Sequence, residues 1–212
     1  MFGPEFFERA LIAGPVIIFS LSVHEFFHAW SALKFGDDTA ARLGRLTINP
    51  LAHLDMMGSI VMVMSQFTFG WAKPVPVNLM NVKDYRKADF WISFAGPLSN
   101  IGIAIILSMI YKVLNGMGML TYDGYFTLAL QWGVQINIFL AFFNMIPLFP
   151  LDGSHMMRSM MPREYQEPIM RFERIAPMIL LGLIILPNFI PGFPGIFSII
   201  GPIVFPIISF LL

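Results

Sequence analysis

Residues 24–28 read HEFFH, so two histidines and a glutamate interrupt an otherwise apolar stretch of the chain. His24 and His28 are four positions apart, and on an α-helix their imidazoles lie on one face, about 40° from each other. Two imidazoles in that register can chelate one zinc ion, while Glu25 flanks the metal without binding it. A carboxylate so placed can act as general base toward a water molecule. The pattern predicts a metal centre capable of hydrolysis.

A catalytic zinc site needs a third protein ligand and one open coordination position. Asp152 is the candidate, because it directly follows the uncharged stretch 126–151 within the sequence NMIPLFPLDGSH. Pro147 and Pro150 prevent a regular helix there, which leaves the carboxylate free to bend back toward a metal. The alternatives are that Asp152 is an ordinary aspartate at the end of a helix, or that His155 competes as the ligand.

Three other polar residues, Asn144, Asn100 and His53, are also candidate site residues. Asn144 shares a segment with Asp152, and its amide can hydrogen-bond to the oxyanion formed during hydrolysis or to a substrate backbone. Asn100 can do the same or can link two helices. His53 is expected to have a structural role, or to support a ligand, rather than to bind the metal itself. We therefore group Asn144 with Glu25 as catalytic residues.

The composition indicates that a membrane protein carries these residues. Of the 212 residues, 57% are hydrophobic and 12% are charged, which is about half the charged fraction of a soluble domain. Ionisable residues inside membrane spans are rare and usually functional, which argues against a chance motif. Long apolar blocks cover 10–33, 90–113, 126–151 and 175–212, and the last is divided at 187–195 into two short helices.

A further apolar run at 56–69 is too short to cross a bilayer. Its Val, Ile, Phe and Thr content, followed by GWAKPVPVN, predicts a β-hairpin or loop that re-enters the membrane and lines a cavity. We therefore predict an all-α polytopic membrane protein. It has about five to six transmembrane helices and a short re-entrant β-hairpin or loop after the first.

The basic residues predict the orientation of the chain. Residues 114–125 contain no Lys or Arg, whereas 34–89 and 152–174 are rich in them, so the latter two segments are expected in the cytoplasm. HEFFH and Asp152 then both lie toward the cytoplasmic ends of their spans. Five crossings would leave the end of the chain on the cytoplasmic side too.

Charge and cysteine content exclude other classes of protein. The formal net charge is zero, which gives no indication of nucleic acid as a partner, and the absence of cysteine excludes thiolate metal sites. No repeat or linker divides the chain. We predict one membrane-embedded domain over 1–212, with a catalytic core at about 9–155 and a helical hairpin at about 175–212.

The chain resembles the site-2 protease family of intramembrane zinc metalloproteases, in particular its compact prokaryotic members without accessory domains. The resemblance is carried by HEFFH at 24–28, GRLTINPLAHLD at 44–55, GWAKPVPVN at 70–78, FAGPLSN at 94–100 and NMIPLFPLDG at 144–153. It implies a three-helix core in which His24, His28 and Asp152 hold one Zn²⁺ per chain and Glu25 is the base.

The resemblance further implies a zinc-dependent endopeptidase of the prokaryotic cell membrane that cleaves transmembrane segments of substrate proteins near the cytoplasmic face. Its partners would be a transmembrane protein substrate and the lipid bilayer. We expect an unwound substrate to pair as a strand with 56–78. The alternatives are an ion or metal transporter that uses the same residues, and a catalytically inactive zinc-binding membrane scaffold, against which the intact Glu25 argues.

Overall fold

The structure is a computed structural model that describes residues 3–67 and 69–212. Throughout these residues the regular elements are α-helices and short 3₁₀ turns, and no β-strand is present. The helices are α1 Pro4–Lys34, α2 Thr39–Arg42, α3 Pro50–His53, α4 Met56–Met64, α5 Tyr85–Gly116, α6 Tyr125–Asn144, α7 Asp152–Met160, α8 Gln166–Glu173, α9 Ala176–Ile185 and α10 Ile196–Leu211.

Three of the described helices are long and apolar enough to cross a membrane, namely α1, α5 and α6. The expected five to six transmembrane helices are therefore not confirmed. Two short helices do follow in the last apolar block, as predicted, but α9 has 10 residues and α10 has 16. Their lengths of about 15 Å and 24 Å fall short of the roughly 30 Å hydrocarbon core.

A buried chain of hydrogen bonds joins the three long helices. Asn100 on α5 donates from Nδ2 to Asn137 Oδ1 on α6 over 2.9 Å, and Asn137 donates from its own Nδ2 to Ser20 Oγ on α1 over 2.8 Å. All three side chains are buried. Polar groups in an apolar bundle must pair with one another, so these bonds fix the axial positions of the helices relative to each other.

The segment between α1 and α5 makes a closed excursion along α1. The chain leaves at Leu54 and returns at Ala72, and these two residues form an isolated antiparallel bridge. At the far turn the ring of Phe67 lies against Gly14, where an added Cβ would come within 3.2 Å of Phe67 Cε1. The predicted re-entrant course is thus supported by the contacts with α1.

The predicted β-hairpin is not confirmed, because Met56–Met64 is helical. Asp55 is the reason: its side chain accepts a hydrogen bond of 2.7 Å from the backbone N–H of Gly58 and so caps the first turn of α4. This local cap outweighs the strand preference of the Val and Ile residues that follow. Residues 73–78 form no helix or strand, and the β-bridge that the structure describes for this segment is that of Ala72 with Leu54.

The end of α10 lies beside α5. Lys112 Nζ is 2.9 Å from the carbonyl oxygen of Phe210, and Ser108 Oγ donates to that of Leu211. Lys112 is one turn from the end of α5 that leads into the 117–124 turn. These contacts place the end of α10 next to the end of α5 that leads into 117–124, so they do not support the prediction that the two lie on opposite sides of the membrane, which stays a prediction.

The buried carboxylate of Asp37 anchors the extended segment just beyond the end of α1. Its oxygens accept hydrogen bonds from the backbone N–H of Asn78 over 2.7 Å and from Asn81 Nδ2 over 2.8 Å, as well as from Thr39. Burial raises the pKa of the Asp37 carboxyl, but these donors lower it more, so the pKa lies below its usual value.

Replacing Asp37 with alanine is expected to destabilise the fold by about 1–3 kcal/mol, because buried donors lose their acceptor. Thermal unfolding in detergent measures the loss. The contribution of Asp37 is present above about pH 3.9, the pKa of unfolded aspartate, and is lost as the pH falls through the lower pKa of the folded state. Asp38→Ala is the control, because Asp38 is exposed and its side chain forms an ion pair with Arg42, four residues along the chain. Equal destabilisation by both changes would contradict the role of Asp37 as an anchor.

Candidate metal centre

The two histidines of HEFFH lie on one face of α1 at its contact with α5, and both are buried. Gly96 of α5 faces them. A Cβ added at Gly96 would come within 2.4 Å of His28 Nε2 and 2.6 Å of His24 Nε2, so only glycine leaves room for both imidazoles. The close approach of α5 therefore shapes one wall of the site.

Asp152 completes the cluster from the start of α7. Its Oδ2 lies 3.1 Å from His24 Nε2 and 3.3 Å from His28 Nε2, and the two Nε2 atoms are 2.9 Å apart. The chain folds back tightly after α6 to bring the carboxylate here: a Cβ at Gly153 would come within 2.3 Å of the carbonyl oxygen of Met145. In the described ranges 3–67 and 69–212 these three residues are the one group of three His, Asp or Glu side chains close enough to hold a metal ion.

Hydrogen bonds on the far side of each ring determine which nitrogen faces the cluster. His24 Nδ1 is 2.7 Å from Asn100 Oδ1, and His28 Nδ1 is 2.7 Å from the carbonyl oxygen of Ile92. The Asn100 oxygen is assigned because its Nδ2 donates to Asn137. Both acceptors require a proton on Nδ1, so both Nε2 atoms present lone pairs toward each other.

The donor set fits zinc. Asp152 Oδ2 is buried and has no hydrogen-bond partner, so three lone-pair atoms converge without a proton between them. Such a set is repulsive in the absence of a cation. Tetrahedral zinc with bonds of about 2.0–2.2 Å places its ligand atoms roughly 3.3 Å apart, close to the 2.9–3.3 Å separations here.

The cluster opens into a cavity of about 540 Å³. Glu25 lines this cavity beside the histidines, and its Oε2 accepts a hydrogen bond of 2.8 Å from the backbone N–H of Val75. Asn144 and His155 line the same cavity. A carboxylate outside the metal cluster but inside the cavity has the geometry required of a base.

Comparisons with known proteins agree with this chemistry. The model of Peptidase family M50 matches residues 118–187. "Putative zinc metalloprotease YwhC" of Bacillus subtilis is 37% identical over 174 residues, which are 81% of this chain and 78% of that protein. The chain belongs to peptidase family M50. The resemblance to site-2 proteases is thereby confirmed, and this M50 peptidase is a metalloendopeptidase with zinc as its cofactor.

More distant relatives carry similar names. "Putative zinc metalloprotease Rip2" of Mycobacterium tuberculosis is 28% identical over 195 residues, covering 88% of this chain and 70% of that protein. "Zinc metalloprotease MJ0392" of Methanocaldococcus jannaschii is 24% identical over 153 residues, covering 71% of this chain but 34% of that protein. No solved structure matches the chain.

The three other candidate site residues, Asn144, His53 and His155, lie at different positions in this M50 peptidase. Asn144 ends α6 in the cavity wall, where its Nδ2 donates to the carbonyl oxygen of Leu140 on its own helix. His53 is buried, with Nε2 2.7 Å from the carbonyl oxygen of Thr47, and lies outside the metal cluster. His155 contacts Arg158 and Asp89 rather than the cluster: its Nδ1 is 2.8 Å from Arg158 Nη2.

The sequence did not connect three supports of the site with the metal, namely Asn100, the Ile92 carbonyl and Gly96. Asn100 was weighed only as an oxyanion or helix-linking residue, although it orients His24 and also links α5 to α6. The Ile92 carbonyl that orients His28 carries no signal in a sequence, because every residue has one. Gly96 belongs to the FAGPLSN motif, and a glycine in a neighbouring apolar span is the signal that could have connected this motif to HEFFH.

Replacing Asn100 with leucine is expected to lower the zinc affinity about 10–100-fold, because His24 loses the acceptor that holds its ring and tautomer. Competition with a chelator measures the affinity. Asn137→Leu is the matched control: it breaks the same interhelical chain but leaves the acceptor of His24 in place. An equal loss of affinity in both variants would mean that helix linkage, not the orientation of His24, is responsible.

Gly96→Ala is expected to abolish stoichiometric zinc binding, because the new methyl group would occupy the space of both Nε2 atoms. Metal content of the purified protein measures this. Gly102→Ala on the same helix is the control, since nothing lies within 4 Å of a Cβ added there. Full zinc content in Gly96→Ala would contradict the position of the metal between α1 and α5.

Proposed function

We propose that this protein is an intramembrane endopeptidase of the prokaryotic cell membrane that cleaves transmembrane segments of substrate proteins near the cytoplasmic face. The convergence of His24, His28 and Asp152 beside Glu25 at the end of apolar helices carries the proposal. Membership of peptidase family M50 supports the hydrolysis of a peptide bond. The position of the metal cluster near the ends of the apolar helices supports cleavage near one face of the membrane.

His24 and His28 through Nε2, and Asp152 through Oδ2, are the proposed zinc ligands. Zinc, when bound, supplies a Lewis acid that polarises the scissile carbonyl and makes water acidic enough to react near neutral pH. Asn100 and the Ile92 carbonyl hold the imidazole rings with their lone pairs toward the metal.

Glu25 is the proposed general base. Its Oε2 is held by the Val75 N–H, which leaves Oε1 to accept the proton of the attacking water and to pass it to the leaving amine. Asn144 is proposed as the second catalytic residue. From the cavity wall its amide can hydrogen-bond to the oxyanion or to the substrate backbone beside it.

The proposed orientation rests on the loop charges. The basic segments 34–89 and 152–174 adjoin the end of α1 that carries HEFFH and the start of α7 that carries Asp152. The positive-inside rule assigns this end to the cytoplasm, where water can reach the cavity. A substrate helix has its own amides paired, so it must unwind locally before its peptide bond can be attacked.

Glu25→Gln is expected to retain zinc and to lose at least about 10²–10⁴-fold in the rate of cleavage of a single-span peptide, because the glutamine cannot accept the proton. Metal analysis and peptide cleavage in detergent are measured on the same preparation. Glu167→Gln is the control, because Glu167 is exposed and pairs only with Arg171 on α8. Unchanged turnover in Glu25→Gln would sink the assignment of the base.

The unaltered protein, assayed for both peptide cleavage and ion flux, tests the transporter alternative. An ion pathway through these residues would give flux in proteoliposomes without cleavage of any peptide. We expect cleavage without flux.

A further inference from the structure

A second cavity of about 280 Å³ adjoins the cavity of the metal centre. It lies between α1, the far part of the excursion 55–71, and α6. The two cavities share five lining residues, which are Leu21, Phe69, Gly70, Leu140 and Phe143. The two cavities are therefore neighbours, and the second extends from the cavity of the metal centre along α6, away from the end that carries Asp152.

Gln135 is the one polar side chain among the described residues that line the second cavity. It lies near the middle of α6, ten residues after the helix begins and nine before it ends. No hydrogen bond joins its amide to any residue within 3–67 and 69–212, whereas nearby Gln131 and Asn137 on the same helix both have partners. Gln135 is half-buried and lines a cavity whose other walls are apolar. An amide in such surroundings gains from a ligand that can form a hydrogen bond with it.

The length and volume of the second cavity suit part of an extended peptide substrate. Gln135 is about 13 Å along α6 from Asn144, which is the length of about four extended residues. The cavity volume is near the lower end of the range for ligand pockets, about 300 Å³. That volume suits one or two apolar side chains and excludes an intact helix.

We propose that this cavity binds the unwound part of the substrate's transmembrane segment about four residues from the scissile bond, on the bilayer-centre side. Gln135 hydrogen-bonds to a backbone amide that unwinding has deprived of its helical partner, and the apolar walls take a large aliphatic or aromatic side chain. The inference rests on the proposed function, because it takes the metal centre as the place of cleavage. It adds a specificity site that the zinc cluster does not provide.

A measurement of peptide binding tests this inference independently of cleavage. The probe is a fluorescent single-span peptide of leucine and alanine, about 20 residues long, with a central glycine-proline pair. It is titrated into the Glu25→Gln protein, which does not cut it. Adding Gln135→Leu is expected to weaken binding about five- to tenfold at unchanged zinc content, because one backbone group of the peptide loses its partner.

Gln131→Leu in the same background is the matched control. Gln131 lies one turn away on α6, pairs with Tyr111 and does not line the cavity, so binding is expected to stay within about twofold of the parent. Equal binding by the Gln135→Leu and Gln131→Leu proteins, or equal weakening in both, would overturn the proposal.

The side-chain preference is tested with the same peptide carrying alanine, leucine or phenylalanine at the fourth residue from the break. We expect leucine and phenylalanine to bind more tightly than alanine, and Ile136→Phe, which fills the cavity, to reverse that order. Absence of any reversal would overturn the apolar site. If the protein with intact Glu25 fails to cut a peptide that binds in a Gln135-dependent way, the proposed function fails and the binding site remains.

Discussion

The structure depends on a convergence that is unfavourable by itself: two imidazole nitrogens 2.9 Å apart and a carboxylate oxygen within 3.3 Å of both, with no proton to share among them. Each ring is turned into this position by an acceptor behind it, on Asn100 or at Ile92. Lone pairs so arranged repel, and a dipositive ion removes the repulsion. The helices and turns around the site hold these three ligand atoms in place for the metal ion.

The scaffold achieves this with small residues and paired amides rather than with bulk. Gly96 admits both rings between α1 and α5, and Gly153 lets the backbone turn sharply enough to return Asp152 to them. The chain of bonds through Asn100, Asn137 and Ser20 links all three long helices and ends on one of the histidines. Helix packing and ligand orientation are therefore coupled, because the same amide contributes to both.

The sequence predicted the chemistry better than the architecture. The spacing of His24 and His28 and the broken helix before Asp152 have direct geometric meaning, and the structure brings those atoms together. The segment 56–64 was harder, because a single cap by Asp55 decides between helix and strand where the side-chain pattern suits both. The predicted number of spans is not confirmed, because α9 and α10 are apolar enough for a membrane but shorter than the three helices that are long enough to cross it.

The role of Asn100 was out of reach for a different reason. Its partners on α1 and α6 are distant in sequence, and only the packing of the helices reveals that His24 lies behind its oxygen. His155 illustrates the converse. A histidine three residues from a ligand is plausible as a ligand itself, but His155 contacts Arg158 and Asp89 instead of the metal cluster.

Two prolines after Ala72 limit how another chain can form backbone hydrogen bonds next to Glu25. Pro74 and Pro76 carry no backbone N–H, and the N–H of Val75 is hydrogen-bonded to Glu25. Residues 74–76 therefore offer only carbonyl oxygens for backbone hydrogen bonds to another chain. Continuous ladder bonding is therefore not available at 74–76, and an unwound substrate that pairs as a strand with 56–78 would have to use the other residues of that segment. An edge without free N–H groups is a poor template for a second strand, so these two prolines protect it from pairing with another molecule.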